Sequence, residues 1–289
     1  MRTTTKLATF AVVVMSVFGA AWAVGAAVGP IDNGADSSHS AHEAPAEAES
    51  PPRGLAVAEG GYRLVAESTS IAAGAPSEFA FRIVDDDGAA VTTFEELHER
   101  QLHLIVLSRN LVDYWHLHPT IDSSGDWSVE LPSLAPGSYR VFADFQPTGA
   151  GNLTLGTDIT VSGEVVPVAL PEPDAVVAVD GYSVTLAANP AVGDNELSFT
   201  VERNGEIVRT EPYLGAAGHL IAIRAGDLAF LHVHPHADES STVTFTGELP
   251  TAGTYRLFFD FSHEGAVRTA AFTVNVGETT SMTTPHEGH

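Results

Sequence analysis

The chain of 289 residues has no cysteine and a single lysine, Lys6. The absence of cysteine excludes disulfides and thiolate metal sites, so a bound metal must be held by histidine and carboxylate. The formal net charge is −24, which argues against a nucleic-acid partner and favours cations. A glycine-rich phosphate loop and a Ser-His-Asp spacing are also missing, so the sequence predicts binding rather than catalysis.

Charge is also missing near the N-terminus. Residues 7–28 carry none and are long enough to cross about 30 Å of hydrocarbon as a helix. The basic residues before this segment and the acidic ones after it predict a cytoplasmic N-terminus and an extracytoplasmic body. A cleaved signal peptide with its site at Ala21-Trp22-Ala23 is the alternative. The protein is therefore expected to be anchored in the cell membrane or, if cleaved, secreted.

The remaining chain contains an internal repeat. Pro136–Phe145 matches Ala252–Phe261 at a period of 116 residues, and short apolar runs alternate with turn residues throughout. This pattern predicts an all-β protein with two tandem immunoglobulin-like β-sandwich domains, a barrel being the alternative. The predicted order is an anchor or signal peptide, a disordered acidic linker, a first sandwich, a linker, a second sandwich and a disordered histidine-containing tail, at residues 1–28, 29–53, 54–165, 166–178, 179–278 and 279–289.

A Gly-x-Tyr sequence precedes one strand of each predicted sandwich, at Tyr139 and Tyr255. This resembles a tyrosine corner, in which the phenol bonds to backbone a few residues upstream. The same strands end near a matching pair of acidic residues, Asp144 and Asp260.

Each predicted domain also carries three histidines with identical spacing. Two apolar runs around a short polar break predict a β-hairpin that brings the three imidazoles to one face, because directly opposite Cβ atoms lie about 5 Å apart. The sequence therefore predicts a three-histidine metal cluster in each domain, with one ion bound per domain or one ion shared between the two domains. The candidate ligands are His103, His116 and His118 in the first domain and His219, His232 and His234 in the second.

The hairpin turns set the pairing. A two-residue turn at Gly226-Asp227 places His219 opposite His234. Centring the first hairpin on Asn110-Leu111 places His103 opposite His118.

Asp144 and Asp260 are candidate fourth ligands, or they orient a ligand histidine through its other ring nitrogen. A surface salt bridge with a neighbouring arginine is the alternative for each. His98 lies five residues before His103, so the chain must bend if both histidines are to bind one ion.

Histidine sites without sulfur suit Cu(II), Zn(II) and Ni(II), and Cu(II) binds such ligands most tightly. Cu(II) is therefore the predicted ion, with Zn(II) next. The opposing interpretation treats the histidines as rim residues of a metal-free adhesion or scaffold module. His116-x-His118 followed by Asp122 also resembles the first half of a cupin motif, but no histidine lies near Tyr139 to complete the second half.

The motifs His98-Glu99-Arg100-Gln101-Leu102-His103-Leu104-Ile105 and His116-Leu117-His118-Pro119 resemble those of membrane-anchored actinobacterial secreted proteins. Such proteins are similar to YtkA-like and CopC-like extracytoplasmic β-sandwiches, over residues 54–278. The resemblance implies copper handling, with a copper-accepting or copper-donating membrane protein as partner. CopC-like sites use a mature N-terminal histidine, which neither Met1 nor Val24 provides, so the resemblance does not imply a ligand set.

Overall fold

The computed structural model describes residues 52–231, 233–235 and 241–277, with the side chains of residues 234 and 235 excepted. The predicted anchor, most of the predicted disordered linker and the predicted tail lie outside these residues. No helix in the described part of the chain is long and apolar enough to span a membrane.

The first domain consists of two sheets, with strand orders β1-β2-β4-β8-β7 and β3-β10-β9-β5-β6. All pairs are antiparallel except β3 with β10. Its strands are β1 (Ala58–Glu59), β2 (Tyr62–Ala66), β3 (Ser70–Ile71), β4 (Ser77–Asp85), β5 (Leu102–Ser108), β6 (Tyr114–Leu117), β7 (Thr120–Ile121), β8 (Asp126–Leu131), β9 (Gly137–Phe145) and β10 (Leu153–Val161).

The second domain repeats this plan, with strand orders β11-β12-β13-β18-β17 and β16-β15-β19-β20, and β14 paired to β13. Its first strand begins inside the predicted 166–178 linker. The strands are β11 (Val176–Val179), β12 (Tyr182–Ala187), β13 (Gly193–Arg203), β14 (Glu206–Ile207), β15 (His219–Arg224), β16 (Phe230–Leu231), β17 (Val233–Pro235), β18 (Thr242–Leu249), β19 (Gly253–His263) and β20 (Ala266–Val276). The prediction of an all-β protein with two repeated domains is confirmed.

Alternating apolar residues explain why each pair of sheets packs face to face. In β4, Phe79, Phe81 and Ile83 are buried and share one face, because side chains of a strand alternate between faces. The sheet of β9 and β10 covers them, and the second domain has its own equivalent core. Tyr139 donates a hydrogen bond to the Ala135 carbonyl oxygen at 2.8 Å, and Tyr255 donates one to that of Thr251 at 2.7 Å. Both predicted tyrosine corners are confirmed.

A third apolar cluster joins the two domains. All seven residues of β5 are buried, because each of its faces packs on something different. Leu104 and Val106 belong to the core of the first domain, whereas the histidine-bearing face packs against the second domain. The residues of this shared cluster are Ile105, Leu107, Leu111, Phe142, Ile221, Ile223, Leu228, Phe230 and Phe258.

The turns of both hairpins differ from the prediction. The Ser108 N–H donates to the Asp113 carbonyl oxygen at 2.9 Å and the Arg224 N–H to that of Ala229 at 3.1 Å, so each loop has four residues rather than two. Leu111 and Leu228 adopt φ values of 64° and 66° in these loops. Their side chains are buried in the cluster between the domains, and this packing holds them in a conformation that leucine rarely adopts.

The strand after the second loop also differs from the prediction. Ile223 pairs with Phe230, as predicted, but pairing with β15 ends at Leu231. The chain then crosses to the other sheet, where His234 pairs with Thr246 of β18. His219 therefore does not face His234 across the hairpin, and this predicted pairing is wrong.

Candidate metal centre

The three histidines of the first hairpin converge at one point. Leu104 pairs with Leu117 and Ile105 with His116, which is the predicted register. One ring nitrogen from each of His103, His116 and His118 lies within 4.8 Å of the other two. Their ring centroids are 4.9–5.2 Å apart. The predicted convergence is present, and we call these three residues the histidine triplet.

A backbone turn orients His103. The turn runs from Leu97 to Arg100 and brings the Leu97 carbonyl oxygen to 2.9 Å from His103 Nε2. Because a carbonyl oxygen only accepts hydrogen bonds, Nε2 carries the proton. The other nitrogen, Nδ1, is then unprotonated in the neutral ring, and it lies 2.9 Å from His116 Nε2.

A carboxylate from the second domain orients His116. His116 Nδ1–H donates to Asp260 Oδ2 at 2.9 Å. The same oxygen accepts a hydrogen bond from the Tyr114 hydroxyl at 3.0 Å, and Oδ1 accepts one from Thr269 at 2.5 Å. Asp260 thus acts on a histidine of the other domain, where it orients the His116 ring so that Nε2 points at the triplet.

This arrangement directs ring nitrogens at one another. His103 Nδ1 is an acceptor, so a proton on His116 Nε2 or a cation bound by both nitrogens makes their contact at 2.9 Å favourable. His118 Nε2 is buried and has no hydrogen-bond partner among the described residues. Buried polar atoms without partners are rare in folded proteins. A cation shared by the three rings would satisfy all three nitrogens.

Burial favours the neutral form of His103, His118 and His219. Desolvation, followed by the neighbouring His116, lowers the pKa of His103 to about 3. Desolvation is also the main cause that lowers the pKa values of His118 and His219 to about 4. At neutral pH their lone pairs are therefore available to a metal ion, which binds only the deprotonated ring.

The second domain contributes His219 to the same place. His219 Nε2 donates to the Tyr213 carbonyl oxygen at 2.9 Å, in a turn equivalent to that of Leu97. The His219 ring lies 6.2 Å from the His116 ring and 6.4 Å from the His103 ring, between centroids. His219 thus lies beside the triplet. His232 and the His234 side chain lie outside the described residues.

Asp144 does not contact the triplet by hydrogen bonds, although its backbone pairs with His103 in the register of β5 and β9. Its Oδ1 accepts hydrogen bonds from Thr154 at 2.8 Å and Asn152 at 3.2 Å. The alternative salt bridge to Arg140 is wrong, because Arg140 donates to the carbonyl oxygens of Gly54 and Leu55 and forms its ion pair with Asp158. Burial raises the pKa of Asp144, and the Thr154 and Asn152 hydrogen bonds oppose this shift.

A cavity of about 160 Å³ adjoins the triplet between the domains. Its polar lining consists of His98, His103, His116, Asp144, Asn152 and His219. Its apolar lining includes Ile105, Ile221 and Phe230. A cavity of this size and lining has room for a water molecule or another small ligand.

Tyr114 is a residue of this site that the sequence analysis missed. Its burial and the nearby Asp260 raise its pKa well above the ordinary tyrosine value. One sequence signal was present, because the repeat places phenylalanine, Phe230, at the position equivalent to Tyr114. A hydroxyl added to one copy of an otherwise apolar position indicates a specific partner.

Two further candidates lie elsewhere. Asp122 Oδ1 accepts hydrogen bonds from the backbone N–H groups of Ser124 and Asp126 at 2.7 and 3.0 Å, so it closes its own turn. His263 Nδ1 lies 2.8 Å from the Tyr182 hydroxyl, in the second domain.

A family model described as a domain of unknown function, DUF8832, matches residues 56–163 and again residues 177–278. The two matches together span more than half of the chain. The chain belongs to the DUF8832 family. Each DUF8832 domain contains one set of three histidines and one of the equivalent aspartates, so each repeat contributes one set of the candidate residues.

None of the curated proteins matches the chain significantly. Among solved structures, a DUF4426 family protein from Pseudomonas aeruginosa is 12% identical, with 36% of this chain and 97% of that chain covered and a TM-score of 0.29. The Escherichia coli adhesin FdeC is 17% identical, with 74% and 63% covered and a TM-score of 0.25. The Ig1-2 module of a Drosophila receptor protein tyrosine phosphatase is 6% identical, with 75% and 98% covered and a TM-score of 0.21. Likeness at this level carries no argument about function.

Proposed function

We propose that this protein binds Cu(II) outside the membrane through the histidine triplet, for buffering, delivery or resistance. The observation that carries the proposal is the convergence of one ring nitrogen from each histidine of the triplet, of which His103 Nδ1 and His116 Nε2 face each other at 2.9 Å. Hydrogen bonds on the opposite side of each ring direct both nitrogens towards this point. A metal ion there is coordinated by both nitrogens, and His118 supplies the third.

The donor set fits the proposed ion. Copper and zinc bind imidazole nitrogen at about 2.0–2.1 Å, so nitrogens that share an ion lie within about 4 Å of each other. Small side-chain rotations bring the triplet, whose nitrogens lie within 4.8 Å of each other, to this spacing. Cu(II) is preferred because it binds nitrogen ligands more tightly than the other divalent ions, and Zn(II) is the second choice.

We further propose that each DUF8832 domain is immunoglobulin-like, and that the uncharged N-terminal segment anchors the protein in the cell membrane. A membrane protein that donates or accepts copper is the proposed partner. Binding rather than catalysis is proposed because Asp122, the acidic residue of the cupin-like motif, is engaged in its own turn.

Calorimetric titration of the purified, chelator-treated protein with Cu(II) and Zn(II) tests the proposal. We expect saturable Cu(II) binding that weakens at least 100-fold in a triple variant, His103→Ala, His116→Ala and His118→Ala. His263→Ala is the matched control, because it removes a histidine bonded to Tyr182. Circular dichroism melting curves verify that each variant is folded.

Two outcomes contradict the proposal. Absence of submillimolar binding by the unsubstituted protein would leave a metal-free adhesion or scaffold module as the better interpretation. Unchanged affinity in a folded triple variant would place the metal on other residues.

A further inference from the structure

Two rings of the triplet are nearly enclosed and the third, His118, is half-buried with its Nε2 inaccessible, so an ion requires a route to the three nitrogens. His103 is only 5% exposed, and the His116 side chain is also 5% exposed. A metal site needs an entry path as well as ligands. His98 is exposed and lines the same cavity as His103, His116 and His219.

The distance between His98 and His219 suits a shared ion. Their ring centroids are 5.1 Å apart, which falls within the 4.9–5.2 Å range of the triplet. The centroid of the His98 ring is also 6.2 Å from that of the His103 ring, so His98 adjoins the triplet. His98 therefore lies between solvent and the triplet.

The backbone conformation at His98 indicates that the fold does not require histidine at this position. His98 and Glu99 adopt φ values of 51° and 62°, a region that side chains with a Cβ disfavour. The Leu97 N–H donates to the Arg100 carbonyl oxygen at 2.8 Å, and the Arg100 N–H donates to that of Leu97 at 3.1 Å. This closed turn holds the strained pair in place.

The equivalent turn of the second domain lacks the histidine. Leu214 and Gly215 occupy the equivalent positions, with φ values of 51° and 75°. The same turn therefore forms with leucine, and the fold does not require a ring at His98. The two turns are neighbours, because a Cβ added at Gly215 would lie 3.6 Å from Glu99 Oε1. The Glu99 carboxylate adds negative charge beside the two histidines, which attracts cations.

We propose that His98 and His219, one from each domain, form an outer metal position through which Cu(II) enters and leaves the triplet. This inference depends on the proposed function. The two rings replace water ligands of the arriving ion, and the triplet nitrogens then replace the two rings. The ion stays Cu(II) throughout, and only ligands are exchanged.

His98→Leu is the sharpest test, because it copies Leu214 at the same backbone conformation. Stopped-flow measurements on the full-length protein follow Cu(II) binding by quenching of tryptophan fluorescence, and Cu(II) release to EDTA. We expect both rates to fall at least tenfold while the equilibrium Kd changes less than threefold. His98→Asn, which suits positive φ, is a second variant with the same expectation, and His263→Ala is the control.

Unchanged rates in both His98 variants would overturn the inference. A weaker Kd with an unchanged association rate would also overturn it, because His98 would then be a ligand of the enclosed ion. These outcomes leave the proposed function intact. Failure of the unsubstituted protein to bind Cu(II) would overturn both.

Discussion

The two domains place the same residues in the same register and use them differently. Asp144 pairs with His103, and Asp260 pairs with His219, at equivalent points of equivalent strands. Asp260 bonds to His116 of the other domain, whereas the hydrogen bonds of Asp144 stay within its own domain. The duplicated aspartate therefore has two roles. Asp260 orients a candidate ligand, whereas Asp144 belongs to a hydrogen-bond network within its own domain.

One hydroxyl accompanies this difference. Tyr114 donates to Asp260 and stacks on Phe258, with ring centroids 4.2 Å apart and planes 5° apart. Its equivalent, Phe230, packs on Phe142 at 5.7 Å between centroids. The first hairpin therefore has a polar connection to the second domain that Phe230 cannot supply in return.

The largest effect is expected from acid, applied to the metal-free protein. The pKa values of His103 and His219 are lowered to about 3 and about 4 in the folded state. A lowered pKa means that, as the pH falls, the unfolded chain binds protons before the folded chain does. The contribution of the two rings to stability is therefore complete above about pH 6.5 and is lost as the pH falls towards the folded-state pKa values. Because one pKa unit corresponds to about 1.4 kcal/mol, the combined loss is several kcal/mol.

Denaturant unfolding between pH 7 and pH 4 measures this loss of stability. Glutamine variants of the two histidines separate the contribution of each domain. We expect His103→Gln and His219→Gln each to flatten the pH dependence, because each variant removes one ring whose pKa is lowered in the folded state. An unchanged pH dependence in either variant would contradict the burial penalty assigned to that ring. His263→Gln, in which no buried ring of the centre is lost, is the control.

The second prediction exchanges the equivalent aspartates for asparagine. Asp260→Asn weakens the hold on His116 and is expected to lower Cu(II) affinity about 10–100-fold, the usual effect of losing a carboxylate that orients a ligand histidine. Asp144→Asn is expected to change affinity less than threefold. Titrations of both variants at pH 7 provide the comparison, and equal losses would show that Asp144 also acts on the ion.

Local sequence patterns predicted much of this architecture. The repeat, the all-β class and the tyrosine corners follow from apolar alternation and from Gly-x-Tyr, which act over a few residues. The pairing of Leu104 with Leu117 was also predicted, because the polar break fixes the centre of the hairpin. These features depend on neighbours along the chain or across one turn.

Contacts between the domains were beyond such reasoning. The bond between His116 and Asp260 joins residues 144 positions apart, and no periodicity encodes it. The crossing of the chain after Leu231 likewise depends on which sheet offers a free edge. The position of His219 was also beyond such reasoning, since the packing of Ile105 and Phe142 against Ile221 and Phe258 brings His219 beside the first triplet.

The third prediction concerns the tyrosine that distinguishes the hairpins. Tyr114→Phe removes a hydrogen bond from a buried carboxylate and is expected to destabilise the protein by about 1–3 kcal/mol. Phe230→Tyr, the reciprocal exchange, is expected to cost less if the equivalent geometry lets the new hydroxyl reach Asp144. Urea unfolding of both variants measures the two costs, and a larger cost for Phe230→Tyr would show that the apolar side of the cavity has no place for a hydroxyl.

The smallest expected effect concerns the tyrosine corners, which are alike in the two domains. Tyr139 and Tyr255 each donate one hydrogen bond to the carbonyl oxygen four residues upstream, at 2.8 and 2.7 Å. Removing such a bond costs about 0.5–1.5 kcal/mol, so Tyr139→Phe and Tyr255→Phe are expected to lower stability by similar amounts and to leave Cu(II) affinity unchanged. Thermal unfolding and copper titration of both variants measure this. A change in Cu(II) affinity with either variant would mean that the two domains also differ in how their tyrosine corners support the histidine hairpins.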